Sequence, residues 1–290
     1  MIETLAKIYE DTVKENINYL KKLEKELYGK TEHHKVVHET LFKSSQTITK
    51  KWLAGKKYLR TKYARDAILE YPKDVLKLSL ILDATINLMD DLLDETLSRE
   101  ERAFYLIEIV RAISLRDMYP IEDKLREKIS NYFNKLIFVA ISEQIFLEKM
   151  KDKEGEDFYK VAYDYFAGRS LDMDLFLEIP LHELKYKKNE IDEIVRVGRI
   201  FRTINLMKKD LIDLEHDIEF DIPTPIVMLH QKEKPFNDFI EYVFSRALGD
   251  VPQRSSKKAE PIIYNLVNLT IKEQKEIVQL LRKERESQRS

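Results

Sequence analysis

The stretch at residues 75–97, VLKLSLILDATINLMDDLLDETL, decides the fold. A helix built on it has almost no solvent face, because Leu76, Leu80, Ile81, Leu82, Ile86, Leu88, Met89, Leu92 and Leu93 surround it. Helices that are apolar nearly all round belong in a protein interior. One polar stripe still runs down it: Asp83, Asn87, Asp90/Asp91 and Asp94 follow the spacing i, i+4, i+7/8, i+11. Burying several carboxylates without compensation is prohibitively costly. They must meet water in a cleft, basic side chains or cations. The acidic interruptions also exclude a membrane span.

Outward from this segment, 3.6-residue periodicity predicts helices at 3–28, 32–52, 57–70, 74–97, 99–117, 121–151, 156–178, 189–218, 223–231, 235–247 and 259–287. Six Gly and eight Pro in 290 residues fall between the periodic segments, as long helices with few turns require. No strand alternation or fixed-period repeat is visible. Residues 249–259 read as a flexible connection, too near the C-terminus to separate two domains. The expectation is one all-α domain over 1–290, a bundle of about ten or more helices around a central cavity. Lys and Arg number 50 against 52 Asp and Glu, a net charge of −2, which argues against a nucleic-acid binder. Zero Cys excludes disulfides, thiolate nucleophiles and Cys-zinc sites. The charged start, MIETLAKIYEDTVKENINYL, has no apolar signal-peptide core, so a soluble cytoplasmic protein is expected.

Asp90, Asp91 and Asp94 form a DDxxD, and carboxylates at i and i+4 project from one helix face. Such a pair suits Mg²⁺, which takes one or two carboxylates and keeps waters and substrate phosphates as its other ligands. A second acidic helix, 199–217, carries Asp210, Asp213 and Asp217 at i, i+3, i+7, with Asn205, Lys208 and Lys209 on the same segment. Two such clusters facing each other across a bundle could clamp a diphosphate through bridging metal ions.

Four motifs in order resemble those of the class I isoprenoid synthase superfamily, specifically the trans-prenyltransferases (polyprenyl diphosphate synthases). AGKKYLR (54–60) resembles the family's GGKxxR, which implies that Lys57 and Arg60 bind the diphosphate of the homoallylic substrate. MDDLLDE (89–95) resembles the first aspartate-rich motif, with Arg99 where the family has its first following Arg. YFAGRSLDMDLF (165–176) resembles a kinked helix that bears a Lys-Thr pair, here Arg169-Ser170, with Gly168 at the kink. KDLIDLEHDIEFDIPTP (209–225) resembles the second aspartate-rich motif and its downstream segment.

The resemblance implies the isoprenoid synthase fold, usually dimeric, and a Mg²⁺-dependent prenyltransferase that ionises an allylic prenyl diphosphate. Up to three Mg²⁺ bound with the diphosphate would be held by Asp90, Asp91, Asp94, Asp210, Asp213 and Asp217. Asp90, Asp94, Asp210 and Arg169 would be the catalytic set. Lys57, Arg60, Arg99, Arg169, Ser170, Asn205 and Lys209 would bind substrate, isopentenyl diphosphate being the second one. In the family Thr85 and Ile86 would set the depth of the chain pocket.

Departures from the pattern cluster on that second substrate. Asp83 stands where the family has His or Gln, Glu100 replaces the second Arg, Lys209 replaces the first Asp of the second motif, and the downstream Lys is missing. At ~1.5–3 kcal/mol per charged hydrogen bond, such losses would weaken isopentenyl diphosphate binding about a thousandfold. The implied alternatives are a terpene cyclase-like enzyme using one prenyl diphosphate, or a non-catalytic subunit of a heteromeric prenyltransferase. His33, His34 and His38 read as a surface cluster, His216 as an exposed flank residue, and Tyr159, Tyr163, Tyr165, Phe166 and Phe176 as core.

Overall fold

The computed structural model describes residues 59–94, 123–252 and 255–287, together with isolated positions elsewhere. Lys57, the His33–His34–His38 cluster and the helices expected at 3–28, 32–52 and 99–117 lie outside the described residues or touch them at isolated positions. Among the described residues there are ten α-helices and no strand. None is long and apolar enough to cross a membrane. The chain divides into two compact units, Met1–Tyr63 with Lys73–Pro120, and Ala64–Pro72 with Ile121–Ser290.

In the first unit, α1 (Leu59–Ala67) begins and α2 (Lys73–Asp94) follows. Of the apolar residues read around α2, Leu80, Leu82, Ile86 and Leu88 are buried and Leu76, Ile81, Met89 and Leu92 half-buried; Leu78, Ser79, Asp83 and Thr85 are buried among them. The Thr85 hydroxyl donates to the Ile81 carbonyl one turn back, which satisfies it without any outside partner.

The second unit holds α3 (Asp123–Lys151), α4 (Gly155–Arg169), a 3₁₀ turn (Ser170–Met173), α5 (Asp174–Glu183), α6 (Lys188–Ile212), α7 (Leu214–Glu219), α8 (Pro225–Gln231), α9 (Phe236–Gly249) and α10 (Glu260–Ser287). Helix α6 is the spine, packing against every element of the unit from α4 onward. Its inner face, Ile200, Ile204 and Met207, meets Phe166 of α4, Phe239 and Val243 of α9 and Ile277 of α10 in one core cluster. Helix α5 lies so close that a Cβ on Gly198 would overlap the Leu177 side chain.

Two helix ends are closed by distant lysines. The Lys232 ammonium donates at 3.0 Å to the carbonyl of Lys151, the last residue of α3, and at 2.7 Å to that of Lys153 just beyond it, and lies 5.4 Å from the Phe158 ring centre. Lys258 donates in the same way to Leu184 and Lys185 after α5, over the Tyr186 ring. Each cation meets the carbonyl-rich, negative end of a helix.

Two expected helices are interrupted. The helix expected at 156–178 gives way to the 3₁₀ turn at Ser170 and resumes through Pro180 to Glu183. Ser170 Oγ donates to the Ala167 carbonyl at 2.6 Å, and Tyr132 donates its phenolic hydrogen to the Asp172 carbonyl at 2.6 Å. Both compete with the regular helical ladder. The helix expected at 189–218 stops at Ile212, and Asp213 separates α6 from α7. The single i, i+3, i+7 face read across Asp210, Asp213 and Asp217 is therefore not one continuous helical face.

Candidate functional site

In the first unit the residues around Arg60 form a closed polar cluster. Arg60 Nη1 lies 3.1 Å from Asp83 Oδ1 and donates also to Asn87 Oδ1 at 3.2 Å. The second Asp83 oxygen accepts the Thr61 backbone N–H at 2.8 Å, and Asn87 Nδ2 donates to the Asp83 backbone carbonyl at 2.7 Å. Asp83 is wholly buried and Arg60 nearly so. Burial pushes the Asp83 carboxyl above the ordinary 3.8, and the Arg60 charge pulls it back. The stripe down α2 thus splits. Its upper half, Asp83 and Asn87, meets a basic side chain; Asp90, near the helix end, is exposed. Asp91 and Asp94 belong to the last turn of α2, and their side chains lie outside the described set. Arg99 is exposed.

In the second unit the 3₁₀ break ends α4 at Arg169 and directs that residue toward the end of α6. Arg169 Nη1 is 3.5 Å from Asp210 Oδ2, and its Nε is 3.4 Å from Glu143 Oε1. The guanidinium also sits 5.2 Å from the Tyr165 ring centre and donates to the Tyr165 hydroxyl at 3.3 Å. Asp210 is buried, and its Oδ2 accepts no hydrogen bond. Desolvation, opposed by Arg169 and Lys209, raises its carboxyl from 3.8 to about 6. The charges of Asp217 and Asp213 add to the rise, so the three carboxylates lie within electrostatic reach of one another. Asp217 is buried at the start of α7, 3.6 Å from the exposed His216. Burial of the Tyr165 phenol, with Asp210, Glu143 and Asp217 nearby, holds its hydroxyl firmly protonated.

Other expected substrate contacts are differently engaged. Ser170 is buried, with its hydroxyl on the Ala167 carbonyl. Asn205 joins a buried polar chain: Arg202 grips Asp172 through Nε and Nη2 and donates to Asn205 Oδ1, while Asn205 Nδ2 donates to Glu273 at 2.9 Å. Lys208 closes this chain on Glu273 and Glu276, each at 2.7 Å. Lys209 is exposed. Thr224, in the segment resembling the family's downstream motif, caps α8 by accepting the Val227 N–H, with Pro225 at the first helical position. The aromatics of α4 pack as core: Phe166 lies against Phe239, and Tyr159 against Phe239 and Tyr242.

Sequence reasoning missed Glu143 and Tyr165 as neighbours of Arg169. Tyr165 stands one turn before Arg169 on α4, an i,i+4 spacing the sequence does show, whereas nothing in the sequence signals Glu143, which arrives from α3. Asp172, three residues on from Arg169, is held by Arg202 instead.

Among the described residues no three His, Asp or Glu side chains gather into a group that could hold a metal ion. Asp210 nevertheless fits as a ligand, because a hard anionic oxygen without a donor is what a divalent cation would satisfy. No protein-family model matches the chain, and no curated protein or solved structure matches it.

Proposed function

We propose that this chain is a Mg²⁺-dependent isoprenoid synthase of the prenyltransferase kind that ionises one allylic prenyl diphosphate and lacks a working site for the second diphosphate. The Arg60–Asp83 pair carries this reading. In the resembled pattern, Arg60 is a diphosphate anchor and position 83 is an uncharged hydrogen-bonding residue. Here the aspartate at that position neutralises the anchor, and its own oxygens are taken by Arg60 and the Thr61 N–H. An incoming diphosphate would have to break a buried ion pair and face an additional negative charge, which disfavours it strongly.

Support for the allylic side comes from Asp210 and Arg169. Mg²⁺ ordinarily takes few carboxylates and completes its shell with water and phosphate oxygens, so a cage of three protein carboxylates is not required. The proposed ligands are Asp90, Asp91 and Asp94 on α2, and Asp210, Asp213 and Asp217 at the junction of α6 and α7. When bound, the metal would supply Lewis-acid stabilisation of the departing diphosphate. Arg169 would hold a phosphate oxygen by charge-assisted hydrogen bonds, exchanging its long contact with Asp210 for a shorter one.

The test is diphosphate release from geranyl, farnesyl and geranylgeranyl diphosphate with Mg²⁺, with and without isopentenyl diphosphate. Release that isopentenyl diphosphate does not accelerate is the expected result. Release that requires both substrates would show a working second site, and silence in every combination would remove the ionising role.

A further inference from the structure

Arg169 is suspended between two carboxylates that come from different helices. Its Nη1 lies 3.5 Å from Asp210 Oδ2 on α6, and its Nε lies 3.4 Å from Glu143 Oε1 on α3. Charge-assisted contacts of this kind ordinarily close to about 2.7–2.9 Å, so neither carboxylate has captured the guanidinium. The guanidinium carbon lies 5.2 Å from the Tyr165 ring centre, and the Tyr165 hydroxyl accepts from Nη1 at 3.3 Å. An aromatic face attracts a cation without fixing it to one point, so the guanidinium can shift toward either partner. The two partners differ. The Asp210 side chain is 6% exposed, its Oδ2 accepts no hydrogen bond, and Asp213 and Asp217 stand within electrostatic reach of it. The Glu143 side chain is 30% exposed and meets a different nitrogen of the same guanidinium.

We propose that Glu143 is a positioning residue that holds the Arg169 guanidinium while a divalent cation occupies Asp210. The inference rests on the assignment of Asp210 to the metal set. A cation on that carboxylate would repel the guanidinium now 3.5 Å away, and arginine cannot lose its proton to relieve the conflict. Glu143 supplies the other carboxylate on which Arg169 closes, shortening the present 3.4 Å contact to an ordinary charge-assisted one. Arg169 then stays at the site, available to an incoming anion, and no longer competes for Asp210. Without the Glu143 charge the guanidinium settles on Asp210, and a cation has to displace it.

The test is Mn²⁺ binding at pH 8 with no phosphate present, followed by the electron paramagnetic resonance signal of the free ion. Asp210→Asn identifies the part of the binding that belongs to this site. Glu143→Gln keeps the shape of the side chain and removes its charge. It should weaken that part about tenfold, an ordinary size for coupling between two sites, with helical circular dichroism unchanged. Arg169→Met removes the competitor and should bind Mn²⁺ more tightly than the wild-type chain. In that background Glu143→Gln should change the affinity by less than about twofold, as independent positions do. Wild-type affinity in Glu143→Gln overturns the inference and leaves Asp210 in the metal set. An equal weakening with and without Arg169 also overturns it, since Glu143 would then act through its charge alone. Wild-type and Asp210→Asn chains that bind Mn²⁺ alike would remove the inference and the Asp210 assignment together.

Discussion

The Arg60 guanidinium lies 3.1 Å from the carboxylate of Asp83, which is wholly withdrawn from solvent. Neither residue is near the other in sequence, and each satisfies a need of the other that the apolar face of α2 creates. A buried cation or anion left alone is costly, whereas removing both members of such a pair often costs little.

Asp83→Ala should therefore destabilise the chain by about 3–5 kcal/mol, and the double change Arg60→Met with Asp83→Leu by markedly less, as read by urea denaturation. Equal losses in the two variants would mean that the pair is not the source of the cost. Asp83→Asn, which keeps an acceptor for the Thr61 N–H but frees the Arg60 charge, should bind isopentenyl diphosphate measurably better than wild type in calorimetry. No gain in affinity would separate Arg60 from diphosphate recognition.

Asp210 makes stability depend on pH in a stated direction. Its carboxyl titrates near about 6 when folded, against an ordinary 3.8. Between those values the folded chain holds a proton that the unfolded chain has released. Stability contributed by this group is therefore fullest below 3.8 and falls as pH rises through about 6, by about 3 kcal/mol in all. Asp210→Asn should flatten that slope between pH 4 and 7 in denaturation series. Mg²⁺ with inorganic diphosphate should raise the melting temperature of the wild-type chain at pH 7.5 and leave Asp210→Asn unmoved. An identical shift in both would take Asp210 out of the metal set.

Helix positions were legible because apolar periodicity is set locally and repeats over many residues. The segments 74–97, 121–151, 235–247 and 259–287 coincide with α2, α3, α9 and α10 to within a few residues where the structure describes them. The breaks at Ser170 and Asp213 were not legible. At Ser170 the deciding bonds are a local hydroxyl contact and the hydroxyl of Tyr132, brought in from another helix. At Asp213 one residue ends α6 and begins α7 without any capping hydrogen bond from its side chain, so no local side-chain signal marks the break. The site was legible in its residue types but not in its pairings. Arg169 could as well have met Asp172 by spacing, and packing on α6 gave that aspartate to Arg202.

Close approach between α5 and α6 depends on Gly198. Because an added Cβ would overlap Leu177, Gly198→Ala should cost about 1–3 kcal/mol despite the better helix propensity of alanine. Leu177→Ala in the same chain should cost less than it does in the wild-type background, since the smaller side chain relieves the overlap. Strict additivity in a double-mutant cycle would contradict the contact.

Asn205 separates a substrate contact from an architectural one. Its amide oxygen accepts from Arg202 and its amide nitrogen donates to Glu273, both buried, so it joins α6 to α10 through two charged neighbours. Asn205→Ala should remove about 1–3 kcal/mol of stability by leaving those charges under-satisfied. Asn205→Asp should do more damage, because a carboxylate would then face Glu273 in place of a donor. Both effects should be present without any ligand. If instead Asn205→Ala leaves the denaturation curve untouched and changes only the apparent affinity for a prenyl diphosphate, the side chain is a substrate contact and the buried chain from Asp172 to Glu276 is not what holds α10 on α6.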